Sequence, residues 1–285
     1  MKNKLTKASN IIAQLTIPTI PDEILKLKEE LNKKYPNTVT IANLISHNPE
    51  LLADFLFLVN GNLTDNKEQI IDAKSAVNVM GLDEIYNIFL SASLTKVISQ
   101  TPQEKRILEH GSIAGLAAAE LSYWVLDVSR SEAYMAGLMQ NIGAIYLSRY
   151  DNTNYASFFN AQLSKPIDGY QKEVEKYGTS HTYVGVYIAK KWNINPYVYQ
   201  TILMHHYLDF ATKISDQKLR HLIAIVMVAN YIAADASGEQ YITSELKSYR
   251  DAGLKELDLP ENALKAATSA AIKWGKSGNL SAGSH

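Results

Sequence analysis

No cysteine occurs among the 285 residues, which removes disulfides, thiolate zinc sites, iron–sulfur clusters and a cysteine nucleophile together, and suits a reducing interior. Glycine and proline are scarce, at 14 and 8 residues, so disorder, collagen-like repeats and other low-complexity classes are excluded. Neither sign of charge dominates. With 28 basic and 29 acidic residues the formal charge is -1, and nothing global draws the chain to nucleic acid or anionic lipid. Long apolar runs are missing too: the longest, Leu222 to Ala234, is interrupted by Asn230 and falls short of the ~20 residues a bilayer helix needs. At the N-terminus Lys2, Lys4 and Lys7 precede Ile11 and Ile12, but Gln14, Thr16 and Pro18 follow without a small-residue cleavage site, so no export signal is read. A soluble, cytoplasmic protein is expected. Nucleophilic catalysis has no support either: there is no nucleophile elbow and no glycine-rich phosphate loop, and Gly111-Ser112 follows His110 inside a predicted helix.

What the chain does have is apolar spacing at helical period almost throughout, with no period-two runs, so the fold class is all-α. Near residue 50, Asn48 supplies a capping side chain and Pro49 suits the first turn. Leu51, Leu52, Phe55, Leu56 and Val59 make a stripe that ends at Gly61. Asn195-Pro196 starts a helix in the same way, and Pro21 opens one carrying Ile24, Leu27 and Leu31. Further helices are predicted over 38–47, 67–79, 82–99, 103–126, 130–148, 181–192, 197–206, 218–236 and 260–274. Between Tyr150 and Tyr177 the periodicity breaks around Asn, Asp, Ser and Pro166, predicting a loop region; after Gly238 the chain turns polar, and its Gly/Ser end is expected to fray. A boundary near Thr101-Pro102 divides residues 1–101, an N-terminal helical lobe, from 102–237, a second lobe, with 238–285 as a helical extension and tail.

The chemistry-bearing residues gather in the second lobe. Gly137-Leu138-Met139-Gln140-Asn141-Ile142-Gly143 sets a polar pair between apolar residues; Tyr177-Gly178-Thr179-Ser180-His181, Ile202-Leu203-Met204-His205-His206 and Ile225-Val226-Met227-Val228-Ala229-Asn230 follow in order. With Ile17-Pro18-Thr19-Ile20-Pro21, Ile45-Ser46-His47-Asn48-Pro49-Glu50-Leu51, and Ala76-Val77 before Met80-Gly81-Leu82, the series resembles the HDOD family over roughly residues 17–236. These are HD-related output domains of bacterial signalling proteins, degenerate relatives of the HD metal-dependent phosphohydrolases. The resemblance implies a multi-helical fold in which an N-terminal lobe packs on an HD-like C-terminal lobe. It also implies that the catalytic relatives would place metal-binding histidines at His110, His181, His205 and His206, the signature His-Asp pair at Gln140-Asn141, and a closing aspartate at Asn230.

Here the chain departs from the catalytic pattern. Neutral amides stand at both acid positions and at the signature histidine, and they supply neither the negative charge nor the basicity that a hydrolytic metal site uses. The lysine that follows the signature in many active relatives is absent, since Ala144 follows Gly143. Neighbouring residues on a helix point about 100° apart, so His205 and His206 are not expected to serve one metal as a pair. Asp168-Gly169-Tyr170 looks like a fragment of the motif of HD-GYP-type phosphodiesterases, but it precedes His205-His206 and is read as coincidence. Gln140, Asn141 and Asn230 are instead expected to form a polar plug, hydrogen-bonded to His110 or His181.

Tyrosine is abundant, with 17 residues. Tyr183 and Tyr187 are one turn apart and suit either a binding face or the interface between lobes. Lys33-Lys34 and Lys190-Lys191 are solvated faces, too small a footprint for nucleic acid. The expectation is a non-enzymatic signalling or regulatory module that binds a protein partner or itself, without metal or cofactor, nucleic acid or membrane. Two other readings remain open: a degenerate metal-dependent phosphohydrolase with an altered ligand set, and a nucleotide sensor using His205, His206 and Tyr207 without hydrolysis.

Overall fold

The computed structural model describes residues 2–60, 69–98, 101–238 and 241–277, and no strand occurs among them. The all-α expectation holds. The first half comprises α1 (Lys2–Ile12), α2 (Asp22–Leu31), α3 (Thr38–Ser46), α4 (Pro49–Leu58), α5 (Ala73–Val79) and α6 (Leu82–Ile98). The second half carries α7 (Pro102–Ser122), α8 (Arg130–Met139), α9 (Ile142–Tyr150), α10 (Tyr155–Ser164), α11 (Asp168–Tyr177), α12 (His181–Lys191), α13 (Pro196–Met204), α14 (Phe210–Lys213) and α15 (Gln217–Ser237). Helices α16 (Ser244–Leu257) and α17 (Glu261–Ser277) complete it.

Local chemistry sets the helix starts. Asn48 Oδ1 accepts from the backbone N–H groups of Glu50 and Leu51, Asn195 Oδ1 accepts from that of Tyr197, and Asp216 caps α15 through Leu219 N; each satisfies donors that the first turn leaves unpaired. The predicted stop at Gly61 and the Gly/Ser end lie outside the described residues; the helix expected over 67–79 starts only at Ala73, where the Asp72 side chain caps it through Ser75 N, and 69–72 are not helical. Helix α15 is apolar on nearly every side because it is central. It is long and apolar enough by composition to cross a membrane, yet 67% of its most apolar stretch is buried inside the fold, as a core helix should be.

Three readings of the sequence are corrected. The expected loop region after Tyr150 contains α10 and α11. Their inward faces, Tyr155, Phe159 and Gln162 on one helix and Gly169, Tyr170 and Glu173 on the other, keep helical spacing but mix aromatic and polar residues, so apolar periodicity hides them. The single helix expected over 130–148 breaks at Gln140-Asn141, where Asn141 takes φ -103 and ψ 14 ahead of α9. Three further helices went unread: α1, which buries Ala8, Ile11 and Ile12 and packs on α12; the single turn α14, which buries Phe210; and α16, whose Leu246, Tyr249, Gly253 and Leu257 face the core.

Close backbone approach fixes the second half. A Cβ on Gly137 would lie 2.7 Å from Gly115 Cα, and one on Gly143 would lie 2.0 Å from the His181 carbonyl oxygen. Helix α8 therefore lies against α7, and α9 against the first turn of α12, at distances only glycine permits. One apolar cluster runs through the molecule from Ala8 to Ala271.

Candidate functional site

Helix α7 presents His110, the α8–α9 break presents Gln140 and Asn141, α15 presents Asn230 and α16 presents Tyr249. These meet in one network. His110 Nε2 lies 2.9 Å from Asn230 Oδ1, and the Asn230 amide donates to Gln140 Oε1 at 2.5 Å and to the Tyr249 hydroxyl at 3.3 Å. Gln140 is fully buried; its Oε1 accepts from Asn230 while its Nε2 has no hydrogen-bond partner among the described residues, so the network satisfies this amide only in part. Burial lowers the pKa of His110, while the Asn230 contact opposes that shift. Since Asn230 Oδ1 can only accept, the neutral imidazole carries its proton on Nε2. The expected polar plug thus joins His110, Gln140 and Asn230. Asn141, also buried, lines an adjacent cavity of about 20 Å³ with Phe159, His206 and Tyr249.

A second cluster lies beside it. His181, His205 and His206 are buried, and one ring nitrogen of each lies within 4.8 Å of the other two. His181 Nε2 is 3.5 Å from His205 Nε2 and 3.2 Å from His206 Nε2. This corrects the expectation that His205 and His206 diverge. Helix α13 ends at Met204, His205 is its C-cap and His206 lies beyond it in a turn. The 100° separation of helical neighbours therefore does not apply, and both rings converge on His181. The Tyr249 hydroxyl donates to the His205 carbonyl at 2.7 Å, which joins the cluster to the amide network.

Three residues of this site carry no motif. Glu173, fully buried on α11, receives His181 Nδ1 at 2.8 Å and the His181 backbone N–H at 3.1 Å on one oxygen, and the Tyr155 hydroxyl at 2.5 Å on the other. Tyr170 stacks on His206 with centroids 4.8 Å apart and planes at 17°. So the tyrosine of Asp168-Gly169-Tyr170 is a wall of the cluster, whereas Asp168 is half-exposed and pairs with Lys172. Burial pushes the Tyr170 hydroxyl up to about 12. It also pushes His205 down to about 3, helped by His181, and His206 well below its ordinary value, helped by His205. Tyr183 and Tyr187, one turn apart on α12, do not form one exposed surface: Tyr183 is buried and Tyr187 exposed.

The catalytic relatives' metal would need anionic ligands that these residues do not supply. His110, Gln140, Asn141 and Asn230 offer one imidazole and three neutral amides, and three of the four are bonded to one another. That set does not fit a hydrolytic divalent ion.

Comparison with known proteins agrees with the fold. The HDOD domain model matches residues 17–208. The chain belongs to the HDOD family. An uncharacterised protein of Treponema pallidum (strain Nichols) is 23% identical over 231 residues, covering 78% of this chain, which spans only 43% of that relative. Among solved structures, an HDOD domain protein of unknown function from Geobacter sulfurreducens shares 20% identity at a TM-score of 0.70, covering 97% of each chain. One from Shewanella amazonensis SB2B, provisionally named a phosphohydrolase, shares 18% at 0.69, covering 95% of this chain and 97% of its own. Identities this low establish the fold and leave activity to the site.

Proposed function

We propose that this HDOD chain is a non-catalytic regulatory module of signal transduction, working in the cytoplasm through association with a protein partner or a second copy of itself. The observation that carries the reading is closure of the inherited cleft. Between His110, Asn141, His206 and Asn230 there is a cavity of about 20 Å³, room for about one or two waters. Pockets that enclose small ligands run to roughly 300–1,000 Å³. The groups around it are neutral and partly satisfied by one another, so neither a substrate phosphate nor an activated water has a charged host.

The same closure speaks against nucleotide sensing, since His205 and His206 are buried. Association is supported by large apolar side chains left in solvent: Val39 on α3, Val79 at the end of α5 and Leu126 after α7 are all exposed. The test is hydrolysis of bis(p-nitrophenyl) phosphate with manganese, run beside sedimentation velocity over a concentration series. No turnover above manganese alone, with a complex forming with itself or a co-purified protein, is the expected result. Saturable turnover would overturn the reading.

A further inference from the structure

The fold separates charge in a way that chain order hides. Residues 1–21 and 177–208 contain five lysines, Lys2, Lys4, Lys7, Lys190 and Lys191, and no aspartate, glutamate or arginine. The other 23 basic residues stand against 29 acids, so the rest of the chain is at -6. Helix α1 packs on α12, which brings the two segments side by side. Thr179 Oγ1 donates to the Lys4 carbonyl at 2.9 Å, Lys7 Nζ sits where a Cβ on Gly178 would point, and Trp192 Nε1 donates to the Pro18 carbonyl at 3.1 Å. The stretch from Lys4 to Pro18 therefore follows α12 from its first turn to its last. Lys2, Lys7, Lys190 and Lys191 are exposed and Lys4 is half-buried. Among the described residues none of the five is ion-paired, whereas Lys33, Lys96, Lys172, Lys213 and Lys218 each hold a carboxylate. Lys4 and Lys190 lie over the Tyr183 and Tyr199 rings instead, at 5.6 and 5.1 Å. Acids resume at Asp22, in the first turn of α2, and at Asp209, which Lys213 neutralises. Helix stability accounts for only part of this pattern. Lys190 and Lys191 complement the C-terminal end of the α12 dipole, but Lys4 and Lys7 lie at its N-terminal end, where a cation is disfavoured.

We propose that this α1–α12 face docks an acidic segment of a protein partner. The inference rests on the reading of the chain as an association module and names the chemistry of what it associates with. Lysines stand at both ends of α12, roughly 15 Å apart along its 11 residues. Tyr187 lies between them with 40% of its surface exposed. A partner that fits carries carboxylates in two groups at that spacing, with an apolar or aromatic side chain to cover the Tyr187 ring, whose hydroxyl can still donate to a carboxylate. Complementary charge of this kind speeds encounter and fixes register. The negative charge carried elsewhere on the chain turns the same partner away from the other faces. Two other polyanions fit less well. Neither segment has an arginine, the side chain whose planar fork pairs with phosphate, which disfavours nucleic acid. A membrane surface would need an apolar face free to enter it, and α1 turns Ala8, Ile11 and Ile12 into the fold. Three of the five lysines precede residue 17, where the family match begins, so the face is no part of the matched HDOD pattern.

The experiment selects phage-displayed random peptides, long enough to span α12, on the full-length protein, and measures the enriched peptides by fluorescence anisotropy against charge-reversal variants. Lys2→Glu/Lys7→Glu and Lys190→Glu/Lys191→Glu alter exposed side chains, so both should fold as the parent does, which circular dichroism checks. Enriched sequences should be rich in aspartate and glutamate around a phenylalanine, tyrosine or leucine. Each reversal should weaken them roughly 10-fold or more, and rising salt should weaken them as well. Lys247→Glu/Lys255→Glu, which reverses two exposed lysines on α16, should leave them unchanged. No enriched peptide, enriched peptides without an excess of acid, or binding that survives both reversals overturns the proposal. So do short duplex DNA or phosphatidylglycerol vesicles that bind in place of acidic peptides and are lost in the same two variants. The association reading fails separately. A complex in sedimentation velocity that persists in both reversals leaves that reading standing and removes this face from it, while saturable phosphodiester turnover removes that reading and leaves the peptide measurements to judge the face.

Discussion

Replacing Asn230 with leucine tests whether the amide network is a satisfied structure or a loose remnant. Asn230 accepts from His110 at 2.9 Å and donates to Gln140 at 2.5 Å, and both partners are buried. Leucine has similar bulk, so it keeps water out while orphaning the His110 N–H and Gln140 Oε1. Each unsatisfied buried group costs about 1–3 kcal/mol, which makes the expected loss about 2–6 kcal/mol. Asn230→Ala should cost less. It enlarges the adjoining polar cavity, and a water there can bond both orphaned groups. In Gln140→Leu/Asn230→Leu the unsatisfied Gln140 oxygen disappears with its partner, so the double variant should recover about 1–3 kcal/mol of the Asn230→Leu loss. Urea unfolding followed by circular dichroism, compared at equal slope, measures all three. Asn230→Leu as stable as the parent, or less damaging than Asn230→Ala, would refute the reasoning.

Further expectations follow from the same contacts. Gly143→Ala would drive a methyl to 2.0 Å from the His181 carbonyl and 2.5 Å from Gly185 N; both are backbone atoms, so it should cost about 3 kcal/mol or more, and a parental urea midpoint would contradict the packing of α9 on α12. Burial holds the folded-state pKa values of His110 and His205 below the ordinary 6.5, at about 3 for His205. Their stabilising effect is therefore complete above pH 6.5 and declines as pH falls toward 3, by up to about 1.4 kcal/mol per pH unit for each such group. A melting temperature that is flat from pH 7 to 4.5 would count against burial of neutral histidines. Restoring anionic chemistry with Gln140→His, Asn141→Asp and Asn230→Asp together should give the chain a bound divalent ion that the parent lacks, read by elemental analysis. Unchanged metal content in that folded triple variant would rule out the inherited geometry.

How much was legible in the sequence depended on whether the signal was local. Asn48-Pro49 and Asn195-Pro196 announced α4 and α13 because a cap acts within three residues of itself. Helix α15 was readable from its apolar length. Helices α10 and α11 were not, since Tyr155, Gln162 and Glu173 become inward-facing only through partners elsewhere in the chain. The amide network was foreseeable from residue type: buried amides need partners, and His110 was the candidate at hand. The histidine cluster was half legible. His181, His205 and His206 stood out as residues, but their convergence required knowing that α13 stops at Met204. Glu173 lies in a polar helix with nothing in its neighbours to mark it, and its burial under Tyr155 and His181 is purely tertiary.

The central claim is that neutral side chains have closed the inherited metal position. Long-range ¹⁵N–¹H correlation of the imidazoles, recorded while magnesium or zinc is added, reads it most directly. The account predicts that His110 keeps its proton on Nε2 and its chemical shift throughout, still bonded to Asn230. A His110 Nε2 that loses its proton and moves to the shift of a metal-bound nitrogen would contradict it.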